Sequence, residues 1–322
     1  MERTPPGHPV TSCADGWCVT DATAGDVNAV GQMLGLVGDE WTLLVMQQAL
    51  LGATRYGEFR ARLPISNSVL TRRLGALTED GLLQRHRYQE RPARDEYLIT
   101  ARGRTLWPVL VSIWEWERHW VTEHREPLPA MRHLGCDADF SPVLTCGSCG
   151  APTASTEVTA AWGPSGGWSR SLPAVVTRRR SEEDRHDSPS GLFPQTMSVL
   201  GNRWAFAILV AAFTGTSRFS EFQRTLSAPP ASIADRLQTF RDNGILTTTD
   251  GDRQYRLTPK GAAFLPVLVT ALAWAQRSFP APEGPAVILT HTGCGRGFFP
   301  VLVCDQCGER LTGPTVSAVG LP

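Results

Sequence analysis

The chain has 322 residues, 42% apolar and 19% charged, with 31 basic and 31 acidic side chains balancing to zero. That length has room for about two domains, and no apolar run approaches the roughly 20 residues that span a bilayer. Zero net charge argues against a surface that engages nucleic acid all round, so such a role must rest on one locally basic face. The start, Met1-Glu2-Arg3-Thr4-Pro5-Pro6, lacks the apolar stretch of a secretory signal. The expected location is therefore cytoplasmic, where eight cysteines do not make a disulfide framework.

Residues 1–25 read as a flexible tail carrying Cys13 and Cys18, and residues 26–122 as a first domain. Val30, Met33, Leu34 and Val37 recur at helical spacing, and a second helix runs from about Trp41 to Leu51. A short helix from Tyr56 to Leu63 leads to a turn at Pro64-Ile65. Ser66 then suits the N-cap of a helix carrying Val69, Leu70, Leu74 and Leu77. That helix stops at Asp80-Gly81, where glycine supplies the left-handed cap. The period then changes: Leu83 to Tyr88 and Asp95 to Ile99 are hairpin arms around a tip near Pro92-Ala93. One long helix is expected from about Thr100-Ala101 onward.

Three helices, a hairpin and a closing helix describe a winged helix-turn-helix, whose helix at 66–78 would enter a major groove. A plain helical domain with one hairpin is the competing reading, and local charge weighs against it. From Ser66 to Arg104 there are eight basic and five acidic residues, and Arg85, His86, Arg87, Arg91 and Arg94 cluster on the hairpin. A wing makes its phosphate contacts there.

Residues 123–164 form a small module with the spacing His133-x2-Cys136-x9-Cys146-x2-Cys149. Four nitrogen and sulfur donors with one Cys-x-x-Cys knuckle suit a closed tetrahedral zinc site, which leaves no open position for catalysis. Residues 165–190, rich in Gly, Ser, Pro and charge, read as a linker.

The rest repeats the first half. Gly38-Asp39-Glu40-Trp41 returns as Gly201-Asn202-Arg203-Trp204, and Arg55-Tyr56-Gly57-Glu58-Phe59 as Arg218-Phe219-Ser220-Glu221-Phe222, both offset by 163. Beyond the hairpin the offset is 158, as in Pro108-Val109-Leu110-Val111 and Pro266-Val267-Leu268-Val269. The second hairpin is thus five residues shorter. Residues 191–280 are expected to form a second winged helix, and 281–322 a second module with His291, Cys294, Cys304 and Cys307. Two structural zinc ions per chain follow as the expectation. Copy two is the weaker candidate for DNA: Pro229 to Lys260 holds five basic and four acidic residues, and its tip is Asp250-Gly251-Asp252.

At these residues the sequence resembles the HxlR family of winged-helix regulators. The resemblance rests on Leu36-Val37-Gly38-Asp39-Glu40-Trp41-Thr42-Leu43-Leu44, Arg55 to Phe59, Ile65 to Leu74, Asp80-Gly81-Leu82-Leu83, and Tyr97 to Thr100 with Gly103. It implies pairing of the closing helices, here within one polypeptide as a pseudo-dimer, and double-stranded DNA as partner. It also implies that Ser66, Asn67, Ser68, Thr71, Arg72 and Arg73 face the bases and adjoining backbone. Arg85, Arg87, Arg91 and Arg94 of the wing and Arg236 of copy two complete the expected DNA-contacting set. Family members that sense oxidants carry a cysteine 13 residues before the tryptophan; those positions here are Asn28 and Gly191, so that thiol switch is not implied.

The fold class expected is mainly α with small β wings: two winged helix-turn-helix domains, each followed by a zinc-ribbon-like module. The function expected is a DNA-binding transcription regulator with domain 1 the stronger reader. The alternative is a protein-interaction or small-molecule-sensing module derived from one. Trp107, Trp114, Trp116, Trp120 and Trp274 read as core, with an aromatic effector as their alternative use; further self-association also stays open. No phosphate-binding glycine loop or paired nucleophile points to an enzyme.

Overall fold

The computed structural model describes residues 27–122, 128–171, 193–201, 203–248 and 254–319. It also gives two short tail strands, β1 (Cys13–Ala14) and β2 (Trp17–Cys18), which pair antiparallel. The calls on the rest of the tail and on most of the linker lie outside the described residues.

The first winged helix opens with α1 (Ala29–Val37), α2 (Glu40–Leu50), α3 (Tyr56–Arg62) and α4 (Asn67–Glu79). Polar residues start most of these helices by accepting from orphan first-turn amides. Asn28 accepts from Val30 and Gly31, Asp39 from Thr42, and Ser66 from Val69. The wing is the antiparallel pair β3 (Leu83–Glu90) and β4 (Ala93–Ile99). The closing helix is not the single rod expected from sequence. It breaks into α5 (Ala101–Arg104) and α6 (Trp107–Trp120), because Pro108 has no N–H to continue the ladder and instead starts a new helix.

After the first module and the short α7 (Trp168–Ser171), the pattern recurs. It comprises α8 (Pro194–Leu200), α9 (Arg203–Phe213), α10 (Phe219–Leu226), α11 (Pro230–Asp242), the hairpin β9 (Leu246–Thr248) and β10 (Tyr255–Leu257), α12 (Pro259–Ala262) and α13 (Leu265–Ser278). The break before α13 again falls at a proline, Pro266.

In both copies a glutamate closes the third helix. The Glu58 carboxylate accepts from the Arg55 and Thr54 amides at 3.0 and 2.7 Å, and Glu221 from Ser217 and Arg218 at 3.1 and 3.0 Å. These amides favour the ionised form and hold both carboxyls below the usual range. A pKa lower in the folded than in the unfolded chain gives stability that is present above the unfolded value, about 4.3. That stability is lost as pH falls through the folded value. Below about pH 5 the urea midpoint should therefore fall less steeply in a Glu58→Gln/Glu221→Gln chain than in the unaltered one.

The two units share one core that runs from Ala29 to Ala286. Helix α6 packs on α13, and α13 also covers α1. The Trp116 ring meets Phe264 edge-on with centroids 4.9 Å apart, and its Nε1 donates to the Lys260 carbonyl at 3.0 Å. The wholly buried Glu117 accepts from the Thr196 amide at 2.7 Å. Trp114, Trp116 and Trp274 are buried core rings.

Where α1 and α8 end, repeat-related glycines face each other. A Cβ on Gly38 would lie 2.7 Å from the Leu200 carbonyl oxygen, and one on Gly201 would lie 3.5 Å from that of Gly38. Since backbone cannot yield as a side-chain tip can, Gly38→Ala should cost about 1–3 kcal/mol in chemical denaturation.

The modules depart most from expectation. The first supplies β5 (Met131–His133), β6 (Ala138–Phe140), β7 (Pro142–Cys146) and β8 (Val158–Trp162); the second supplies β11 (Val287–His291), β12 (Arg296–Gly297), β13 (Pro300–Cys304) and β14 (Val316–Ala318). Instead of two separate ribbons they interleave: β14 pairs with β5, β11 with β8 and β13 with β7, all antiparallel. Leu144 lies opposite Leu302, its own repeat equivalent, so the local twofold passes between them. Strands this short leave unpaired edges within one module, and the sibling's strands cover them.

Candidate nucleic-acid interface and metal centres

Helix α4 is anchored from below by Leu70, Leu74 and Leu77, all essentially buried. Helical spacing then turns Ser66, Asn67, Ser68, Thr71 and Arg72 to solvent together. The Tyr56 hydroxyl, which sequence reading did not single out, donates to the Asn67 carbonyl at 3.1 Å and lies 3.3 Å from its Oδ1. It thereby fixes the start of the exposed face.

Arg73 does not share that face. Its guanidinium is half-buried against Asp39, the cap of α2, where it ties α4 to α2. The spacing to Asp39 is 34 residues, beyond the reach of local pattern.

On the wing, Arg85 and Arg87 both donate to Asp95 across the hairpin, Arg87 also lies 3.8 Å from Glu90, and His86 sits 3.1 Å from Glu96. The Arg85 hydrogen bond to Asp95 holds that carboxyl below the usual range. Both arginines remain about half exposed. Arg91 and Arg94 at the tip, with Arg72 on the helix, are exposed and make no ion pair among the described residues. Arg236 of copy two is paired with its neighbour Asp235.

The eight expected metal ligands converge, but in different sets. His133 and Cys136 meet Cys304 and Cys307, while Cys146 and Cys149 meet His291 and Cys294. Each set thus takes His-x2-Cys from one half and the knuckle from the other, correcting the within-module grouping. The spacing is identical in both halves, so it fits either grouping, and the interleaved strands decide between them.

In each set all four donor atoms lie within 4.8 Å of one another. Cys136 Sγ and Cys307 Sγ are each 3.4 Å from His133 Nδ1, Cys136 and Cys304 sulfurs are 3.9 Å apart, and Cys149 Sγ is 3.4 Å from His291 Nδ1. A tetrahedral ion with sulfur at about 2.3 Å requires sulfur–sulfur edges of about 3.8 Å. The donor geometry therefore fits such an ion.

Both knuckles turn through glycines with positive φ, Gly150 at 78° and Gly308 at 74°, whose amides donate to Cys146 and Cys304 carbonyls at 2.7 and 2.9 Å. Both histidines are buried beside repeat-related aromatics, Phe140 and Phe298. A Cβ on Gly135 would stand 2.8 Å from the His133 ring, and one on Gly293 would stand 3.2 Å from that of His291. The shared His-x-Gly-Cys spelling was the sequence signal for that requirement.

Asn28, at the position of the family's sensing cysteine, is 3% exposed. Besides capping α1 it donates to the Ser165 carbonyl and Ser171 Oγ at 3.1 and 2.9 Å, a structural tie between α1 and the segment after the first module. No helix among the described residues is long and apolar enough to cross a membrane.

Comparison with known proteins adds to this geometry. The chain is 35% identical over 136 residues to an uncharacterized HTH-type transcriptional regulator of Mycobacterium tuberculosis, covering 42% of this chain and 86% of that protein. It is 33% identical over 100 residues to one from Synechocystis, covering 31% and 74% respectively. With YvaP of Bacillus subtilis, also an uncharacterized HTH-type transcriptional regulator, it shares 36% over 87 residues, covering 27% and 81%. Each relative is matched over most of its own length by less than half of this chain, as a single-copy protein would be. The HxlR-like helix-turn-helix model matches twice, at residues 36–125 and 199–283. The chain therefore belongs to the HxlR-like helix-turn-helix family, with two copies of the family's domain in one polypeptide.

Proposed function

We propose that this chain is a DNA-binding transcription regulator that works as a single-chain pseudo-dimer. The observation that carries it is the joint exposure of Ser66, Asn67, Ser68, Thr71 and Arg72 on α4 beside a wing whose tip presents Arg91 and Arg94. Hydroxyl, amide and guanidinium groups are those that read base edges in a major groove, and tip arginines are placed for phosphates. The first unit is the stronger reader, since its hairpin segment is longer and basic, while the shorter sequence between Thr248 and Tyr255 in copy two includes Asp250 and Asp252. The names of the family's relatives support the same class of activity.

The role of the modules is to hold the pair together. Each ligand set takes one zinc ion, closed by three thiolates and one imidazole nitrogen and hence structural. Because each ion would be bound from both halves, metal binding and the docking of the two units become one event.

Selection of the full chain against a pool of random duplexes tests the proposal. Enrichment of a defined sequence, lost on replacing Arg72 by Ala, is the expected result. Recovery of an unenriched pool would refute it.

A further inference from the structure

Helices α4 and α11 occupy equivalent places, at an offset of 163, yet their exposed faces differ in kind. Where α4 turns Asn67, Ser68, Thr71 and Arg72 to solvent, α11 turns Pro230, Ala231, Ala234 and Asp235. At these four positions no side-chain hydrogen-bond donor remains, and the exposed Gln238 one turn on donates to Asp242 at 2.7 Å. The helix starts differ as well. Ser66 caps α4, whereas Pro229 and Pro230 open α11 without a side-chain cap, and Pro230 at the first helical position has no amide to offer a phosphate.

Of the four charged side chains on α11, Arg241 and Asp242 lie in its last turn, and Asp235 and Arg236 lie at this face. A carboxylate can accept from the cytosine amino group, but Asp235 already accepts from Arg236 and carries the sign of the phosphates. The same pair occupies the Arg236 guanidinium. Alanine methyl groups can touch a thymine methyl, a contact without directional donors. The hairpin segment of copy two is also five residues shorter in sequence.

We infer that only the first unit reads bases, so that the DNA site is one-sided: a single half-site, with copy two serving as the fixed support that a second reading head provides in a symmetric dimer. This deepens the DNA-binding reading above and rests on it. Asn67, Ser68, Thr71 and Arg72 are then the specificity-determining residues of the whole chain. The lack of side-chain donors at positions 230, 231, 234 and 235 spares the molecule a second sequence requirement about one helical turn away.

The test uses the full chain and its selected duplex, changing one base pair at a time across two adjacent helical turns and measuring affinity for each. Substitutions in one arm should lower affinity tenfold or more, and those in the other arm less than twofold. A chain with Pro229→Ser, Pro230→Asn, Ala231→Ser, Ala234→Thr and Asp235→Arg, which copies the α4 face onto α11, should bind a duplex with two inverted arms at least tenfold more tightly than the unaltered chain does. Asp235→Ala alone, a surface change, should leave affinity within twofold. Comparable losses from both arms in the unaltered chain would overturn the one-sided site while leaving DNA reading intact. Affinity indifferent to every base change would overturn both.

Discussion

A chain in which Cys136 and Cys304 are both replaced by alanine should still hold one zinc ion, whereas replacing Cys136 and Cys146 should leave none. The first pair belongs to one ligand set although 168 residues separate its members; the second pair, ten positions apart, takes one ligand from each set. Grouping within modules reverses both outcomes. Structural zinc in small domains is worth roughly 10–16 kcal/mol of apparent binding free energy at neutral pH, so the loss of a site should be large. Elemental analysis after dialysis against a moderate chelator counts the ions. The thermal unfolding midpoint should fall further in the Cys136→Ala/Cys146→Ala chain, because both clamps between the halves are then open. The interleaved pairs β5–β14, β8–β11 and β7–β13 would lose the ions that fix their ends.

Alanine at Arg72 should lower affinity for the selected duplex about tenfold or more and flatten its preference at one base position. A good bidentate contact is worth about 1–3 kcal/mol of discrimination. Alanine at the adjacent Arg73 should act differently. Its guanidinium joins α4 to Asp39 at the start of α2, so its loss should reduce stability while the base preference of the remaining folded protein persists. Comparing base preference with thermal stability for the two variants separates reading from support. Equal loss of base preference in both would mean that Arg73 also faces the duplex.

Much of this architecture is legible in the residues because the repeat supplies its own check. The same capping glutamate, the same proline before the closing helix and the same His-x-Gly-Cys spelling occur twice in register, and local chemistry at each place dictates a cap, a break or a ligand. What is not legible depends on distance along the chain. Arg73 and Asp39 find each other through the packing of α4 on α2, and a charge count treats that arginine as free for phosphate. Arg85 and Arg87 likewise share Asp95 across the hairpin, which no tally of basic residues conveys. The ligand grouping is the clearest case: two copies with identical spacing offer two equivalent solutions, and only strands that cross between them choose one. The break at Pro108, by contrast, was available from proline chemistry alone.

The most direct test of duplex binding by the first unit is the dependence of its affinity on salt. Affinity of the full chain for its selected duplex, followed from about 50 to about 300 mM monovalent salt, should fall linearly on logarithmic axes with a slope of about −0.9 per phosphate contacted. Replacing Arg91 and Arg94 by alanine should make that slope shallower by about 1.8, with no change in zinc content. Binding insensitive to salt, or a slope unchanged by removing both tip arginines, would contradict the placement of this wing on the phosphate backbone.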